Sequence, residues 1–299
     1  MLAVDPGRLQ ELCSARRAAI NPEMFGLPKS EGRGRRAKGG GLTQAHVDTL
    51  LERRGVPRAE GTYRKFEAGK LPNPSADYVY AVAKVLNFDE HAWRVLHVCL
   101  YGRAPARVLD IDSVRVSPVW IELVNRQHNI GYIANLAGEV LYGNRHFREM
   151  FVSKQYPNNL WWWMLFSDEA RGEDAQGGTL QDWPISWAGP LISQIRSSLV
   201  LYPESKVLTE MHRRILEDPY TSPYWEFEAV AHPDGAVRPF RHPALGLGML
   251  HLAASEPQGA PGSRHTSAIF VSSKLIETDI SDTWVHQCIP QREPESGSR

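Results

Sequence analysis

Two clusters of side chains in this sequence have the types and spacing to carry chemistry. The first runs from Leu42-Thr43-Gln44 to Gly61-Thr62-Tyr63-Arg64-Lys65-Phe66-Glu67-Ala68-Gly69. Free backbone N–H groups at a helix N-terminus attract a phosphate, and Gln44 adds a side-chain donor there. On a helix through residues 60–67, Tyr63 and Phe66 turn inward while Glu60, Gly61, Arg64 and Lys65 face out. Arginine and lysine pair well with guanine edges, and Glu60 can accept from cytosine, so this face suits duplex DNA. Thr43, Arg58 and Thr62 complete the candidate contacts. A basic stretch precedes them, with Arg33, Arg35 and Arg36 between Lys29 and Lys38. It either lies along phosphates or in a minor groove, or is a solvated charge run.

The second cluster is aromatic. The chain has nine tryptophans, three of them consecutive at Trp161, Trp162 and Trp163. Such side chains offer large apolar surface with few rotatable bonds, which suits either a small-molecule pocket or plain core. Three adjacent helical positions cannot share one face, so at most two of them meet a ligand. Arg171 has two readings: a bidentate fork for a ligand carboxylate, or a structural ion pair. His242, before Pro243, either hydrogen-bonds a ligand or is a satisfied buried histidine.

Motifs for catalysis are lacking. There is no nucleophile elbow, no phosphate-cradling glycine loop, and no HExxH or CxxC metal pattern. The acidic group Asp168, Glu169, Glu173 and Asp174 reads as a solvated loop. An enzyme is therefore not expected, nor a cofactor or a metal. Cys13, Cys99 and Cys288 are too few and too scattered for a disulfide framework, and a cytoplasmic location is expected. No apolar run reaches the roughly 20 residues that span a bilayer, and Asp5, Arg8 and Glu11 interrupt any secretory signal.

The elements that must position these residues fall into two parts. Residues 1–103 hold 17 Lys/Arg against 11 Asp/Glu, a net of +6, and residues 104–299 hold 17 against 23, a net of −6. Only the first part is thus equipped to meet a polyanion. Its periodicity predicts five short helices: residues 8–19; one capped by Thr43; one over 60–67 ending at Gly69; one over 76–86 capped by Ser75; and one capped by Asp89. Gly102 to Pro105 marks a linker. In the second part, residues 129–142 predict two strands around a turn at Leu136 to Gly138. Helical patterns follow at 147–151, 189–201 and 204–217. Strand-like runs lie at 225–231, 245–253 and 266–272, with His232-Pro233-Asp234-Gly235 as a hairpin signal. A polar tail from Ser273 reads as disordered.

The text around Gln44 and Thr62 resembles the xenobiotic-response-element family of helix-turn-helix regulators. That resemblance implies a lambda-repressor-like domain, with Gln44 on a phosphate and the third helix in the major groove. Two departures stand out: about five extra residues between Leu51 and Thr62, and Asp48 where a small apolar residue usually lets the helices approach. Residues 8 to about 272 as a whole resemble the MmyB-like transcription regulators. The matching text is Gly131-Tyr132-Ile133, Glu139 to Asn144, Asn159-Leu160, Trp163, Phe166, Glu169-Ala170-Arg171, Ser222-Pro223, Trp225, His242-Pro243 and Gly246. Gly143-Asn144 replaces the usual Trp-Asn or His-Asn pair, and the stretch from Asp168 to Trp183 is longer than usual.

This second resemblance implies a PAS-like fold around an apolar cavity and a ligand of fatty-acid type. Tyr132, Asn144, Phe147, Phe151, Trp161, Trp163, Phe166, Arg171, Trp225 and His242 are the candidate ligand contacts. The expected fold class is α+β, with a helix-turn-helix domain over 1–103, a PAS-like domain over 104–272 and a tail over 273–299. The expected function is a DNA-binding transcription regulator that senses a small apolar ligand, with double-stranded DNA at a palindromic operator and a second copy of itself as partners. The alternative makes the second domain a dimerisation or protein-interaction module without a ligand.

Overall fold

The computed structural model describes residues 5–28, 40–56, 61–112, 114–175, 177–226, 235–257 and 261–273. The chain divides into two compact units, Met1–Leu109 and Asp110–Arg299.

In the first unit, Asp5 accepts from the Arg8 N–H at 3.0 Å and Pro6 opens α1 (Pro6–Ala19). Thr43 opens α2 (Gln44–Arg53) with a reciprocal box, its hydroxyl bonded to the His46 N–H and its own N–H to the His46 ring. Gly61 leads into α3 (Thr62–Glu67), Ser75 caps α4 (Ala76–Val85), and Asp89 caps α5 (Glu90–Tyr101). Each capping side chain satisfies an N–H that the helix itself leaves unpaired. The apolar stripes meet in one core that includes Leu9, Val47, Leu51, Phe66, Val82, Leu86, Trp93 and Leu96. All five expected helices form, with ends that differ by a residue or two.

Beyond Gly102 the chain does not leave this unit at once. The Trp93 indole donates to the Arg107 carbonyl at 2.9 Å, the Leu109 N–H donates to Glu90 at 2.7 Å, and the Arg107 guanidinium lies 3.7 Å from the centre of the Tyr80 ring.

The second unit is built on an antiparallel sheet. Its strands are β1 (Ile130–Asn135), β2 (Val140–Gly143), β3 (Val237–His242), β4 (Gly246–Ser255) and β5 (Ser263–Ser272), in the order β2-β1-β5-β4-β3. The register pairs Tyr132 with Thr266 and Arg238 with Leu250. At the β1–β2 turn, Gly138 has φ +83° and a Cβ there would stand 2.4 Å from the Trp161 ring, so only glycine fits. Helix α6 (Pro118–Asn125) lies before β1, with Trp120 against His265 on the outer face of β5.

Against the inner face lie α7 (Arg145–Arg148), α8 (Leu160–Phe166), a π-helical turn over Trp183–Ala188, and α10 (Gly189–Leu201), while α9 (Asp168–Arg171) packs on α8. Helix α11 (Lys206–Glu217) turns Leu208, Met211 and Ile215 inward at helical spacing and packs on α10. The α+β class expected from the sequence is what is observed.

Three local expectations differ. Residues Val237–His242 form a strand that the pattern did not announce, because Pro239 and two arginines mask its alternation. The run that begins at Trp225 starts as the close of a 3-10 turn over Ser222–Tyr224, where Pro223 sets the first turn. Phe147 lies within α7, which opens at Arg145 because Asn144 caps it. The rest of that run (227–231), residues 232–234 of the hairpin signal, and the tail from 274 lie outside the described residues.

Candidate functional site

The DNA-facing candidate is α3. Tyr63, Phe66 and Glu67 are buried, whereas Arg64 and Lys65 are exposed side by side. Gly61 has φ +77°, the left-handed region, and a Cβ there meets nothing within 4 Å, so conformation rather than space requires the glycine. Its N–H and that of Tyr63 each donate to Asp48 at 3.0 Å, so the N-terminus of α3 is capped from α2. Glu67 anchors the other end: it takes the Arg17 fork through two bonds of 3.1 Å, and the Gln44 amide donates to it at 3.1 Å. An amide nitrogen carries two donors, so Gln44 is held in place with one still to offer.

Thr43 serves as the cap of α2, and Thr62 is the first residue of α3. Arg33, Arg35, Arg36, Arg58 and Glu60 lie outside the described residues.

The second candidate is a cavity of about 370 Å³ between the sheet and α7, α8 and α10. Tyr132, Phe147, Phe151 and Trp161 line it, together with Met150, Met164, Trp187, Leu191, Phe240 and Leu250. Rings lean on one another along this wall: Tyr132 stacks on Phe147 at 4.4 Å, and Phe147 meets Phe151 edge-on at 5.2 Å. A hollow of about 630 Å³ adjoins the cavity and shares Ile130, Phe151 and Ala268 with it; His242 lies there.

The His242 Nδ1 accepts the N–H groups of Ala244 and Leu245 at 3.1 and 3.3 Å. That leaves the proton on Nε2, and burial holds the imidazole below its usual pKa.

The other expected ligand contacts stand elsewhere. Asn144 spends its side chain on structure: it accepts from Gly131 and Phe147 and donates to the Val124 and Asn129 carbonyls. Trp163 packs behind Phe151 at 4.9 Å, outside the lining, and Phe166 leans on Trp162 at 4.8 Å. Arg171 reaches Asp218 at 2.8 Å and the Leu165 carbonyl, both through Nη1, so it stands in a structural ion pair outside the cavity lining. Trp225 stacks on His212 at 4.1 Å.

Sequence reasoning missed Trp187, Phe240, Leu250 and Arg238. Trp187 sits on the π-turn, whose wider winding sets its ring on the cavity while its indole donates to the Pro239 carbonyl at 3.1 Å. The two residues of β3 share one face by strand alternation, a signal available once 237–242 is read as a strand.

Arg238 is the electrostatic oddity. It is only 5% exposed, and burial pulls its guanidinium down to about 10, with the Tyr132 hydroxyl partly opposing that. It remains charged at neutral pH. Among the described residues no group of His, Cys, Asp or Glu could hold a metal, and no helix is long and apolar enough to cross a membrane.

An antiparallel sheet covered by helices, with a largely apolar cavity between them, thus follows a basic helical unit in the chain. The model of the MmyB-like transcription regulator ligand binding domain matches residues 117–271, and the chain belongs to that family. Its role is thus regulatory. A search of curated proteins finds no match.

Proposed function

We propose that the chain is a sequence-specific DNA-binding transcription regulator whose second unit senses a small apolar, fatty-acid-like ligand. The observation that carries this reading is the cavity: about 370 Å³, lined mostly by aromatic and aliphatic side chains, within a unit of a ligand-binding regulator family. That volume is in the range of small-molecule sites. For the first unit, support comes from α3, which buries Tyr63 and Phe66 and presents Arg64 and Lys65 to solvent in a basic module.

Two protomers would set their third helices in successive major grooves, about 34 Å apart on a palindromic operator. The ligand would bind one arrangement of the dimer better than the other and shift DNA affinity, typically by about 1–3 kcal/mol.

A protein-interaction module is the second reading. It is favoured by the exposed Leu245, Leu247 and Ile269 at one end of the sheet.

Selection from random duplex DNA with the full chain, followed by titration of enriched sites at two salt concentrations, tests the DNA reading. A recurrent inverted repeat with a steep salt slope is expected. Absence of enrichment, with weak binding that vanishes in salt, overturns it and leaves the interaction module as the better account.

A further inference from the structure

Helix α6 is strongly apolar, yet little of it is buried. Of its eight residues only Val124 is buried. Val119 and Leu123, one turn apart, are 68% and 51% exposed, and Trp120 and Ile121 are half-buried. A helix with such a stripe normally turns it to a core. The helix sits on the outer face of the sheet at β1 and β5. Gln127, just past its end, bonds the His265 ring at 3.1 Å, and Trp120 leans on the same ring.

The other half of that outer face is open to solvent. Outward side chains alternate along β4 and β5, so Met249 and Val271, partners in register, stand at its centre. Leu247 and Ile269 lie two residues beyond them at opposite ends, 44% and 58% exposed. Length and charge both indicate what covers this strip. From Leu247 to Ile269 is four residue steps, ~13 Å at ~3.3 Å each, and the eight residues of α6 make a rod of ~12 Å. The chain beyond residue 103 holds 17 Lys/Arg against 23 Asp/Glu, yet none of the five strands contains an Asp or Glu. Arg241 stands exposed beside Leu247, its partner in register. On α6, Glu122 shares the face of Val119 and Leu123 at helical spacing; it bonds Arg126 through one oxygen and is 57% exposed. The strip thus calls for a short rod that offers apolar side chains one turn apart beside a carboxylate, and α6 is such a rod.

We infer that the second unit pairs with a second copy of itself through a two-fold interface in which α6 of each protomer lies on the open strip of the other. Val119 and Leu123 meet Met249 and Val271 of the partner subunit, and Glu122 faces Arg241 of the partner subunit. A two-fold axis makes each such contact twice, ridge on strip and strip on ridge. Both faces of the sheet are then covered, as a layered fold requires. The inference rests on the two-protomer part of the proposed function and adds the surface that joins them.

Sedimentation equilibrium of the full chain over a range of concentrations tests it. Leu123→Glu on α6 and Ile269→Glu on the strip should each weaken the dimer at least about ten-fold, since each sets a lone charge in an apolar contact. Both sites are exposed in one protomer, so melting temperatures at dilutions where the wild type is monomeric should not change. Glu122→Arg and Arg241→Glu should each weaken the dimer and offset one another in one chain. An equimolar mixture of the Leu123→Glu and Ile269→Glu proteins should dimerise more tightly than either alone, because the mixed pair keeps one intact contact of helix on strip. A dimer unchanged in both variants overturns the surface and leaves the two-protomer reading intact. Both variants weakened without recovery in the mixture overturns the placement of helix on strip. A wild type that stays monomeric at every concentration removes the two-protomer reading and this inference with it, and leaves the strip to the C-terminal tail or another protein.

Discussion

The Asp48 carboxylate on α2 accepts the backbone N–H of Tyr63 on α3 at 3.0 Å, and its other oxygen takes the Gly61 N–H at the same distance. A helix N-terminus normally finds its cap in the preceding residue. Here that residue is Gly61, which has no side chain to offer, and the cap comes from the neighbouring helix instead. The departure at position 48 is thus a tertiary hydrogen bond that fixes the angle between the two helices.

Asp48→Ala should cost about 1–2 kcal/mol of stability, the usual loss for a capping carboxylate, read as a lower urea midpoint at unchanged slope. It should also weaken DNA binding, because α3 loses its fixed orientation. Asp48→Asn keeps one acceptor and should fall between. A variant as stable as the wild type would mean that the enlarged turn, rather than Asp48, orients α3.

How far the sequence discloses this molecule depends on where its signals are local. Caps at Thr43, Ser75 and Asp89 are read from single residues and their followers, and each opens a helix as expected. Strand β3 is hidden because Arg238 and His242 share its buried face with Phe240 while Pro239 and Arg241 occupy the outward positions, so no apolar–polar alternation shows. The aromatic triplet pointed to the right helix, but only Trp161 of the three lines the cavity. Arg171 and Arg238 cannot be told apart by composition. One meets Asp218 and the other forms no ion pair among the described residues, a distinction that exists only in three dimensions.

Arg64 and Lys65 stand exposed on the same helix whose other residues build the core. Replacement of either by Ala should leave stability within about 0.5 kcal/mol, as for surface sites, yet cost roughly 1–3 kcal/mol of specific DNA binding if it reads a base. Titration of each variant on selected and scrambled duplexes separates base reading from phosphate contact. Unchanged affinity and unchanged preference in both variants would remove α3 from the interface. Gln44→Ala should weaken all sequences alike if Gln44 holds a phosphate, since such a contact carries no sequence information.

His97 gives the first unit an acid-sensitive point. Its ring lies 4.2 Å from Trp93 and 5.2 Å from Tyr101, and burial, with Arg103 and Arg107 nearby, lowers its pKa to about 4. The unfolded chain takes up that proton near pH 6.5, so the unfolded state binds more protons between the two values. Stability from this residue is therefore complete above about pH 6.5 and declines as pH falls towards 4. His242 and His265, also lowered by burial, act with the same sign. Melting temperatures of the wild type should drop more between pH 7 and pH 4.5 than those of His97→Gln. Parallel curves for the two proteins would show that His97 does not contribute to the drop.

Arg171 and Asp218 tie α9 to the end of α11, with side chains 11% and 4% exposed, and Asp218 also accepts the N–H groups of Tyr220 and Thr221. Removing one partner of such a pair strands the other charge in a dry site, so Asp218→Ala should cost about 3–5 kcal/mol. The contrast lies on α11 itself. Arg213 bonds Glu210 and Glu217 at 2.5 Å each, a shorter pair of contacts than the buried one, yet all three side chains are exposed and screened by water. Arg213→Ala should therefore change stability by less than about 1 kcal/mol. Burial rather than distance decides which bridge holds the unit together, and urea unfolding of the two variants side by side measures it. Equal losses would mean that α9 and α11 are joined mainly by their apolar contacts, with the ion pair contributing little.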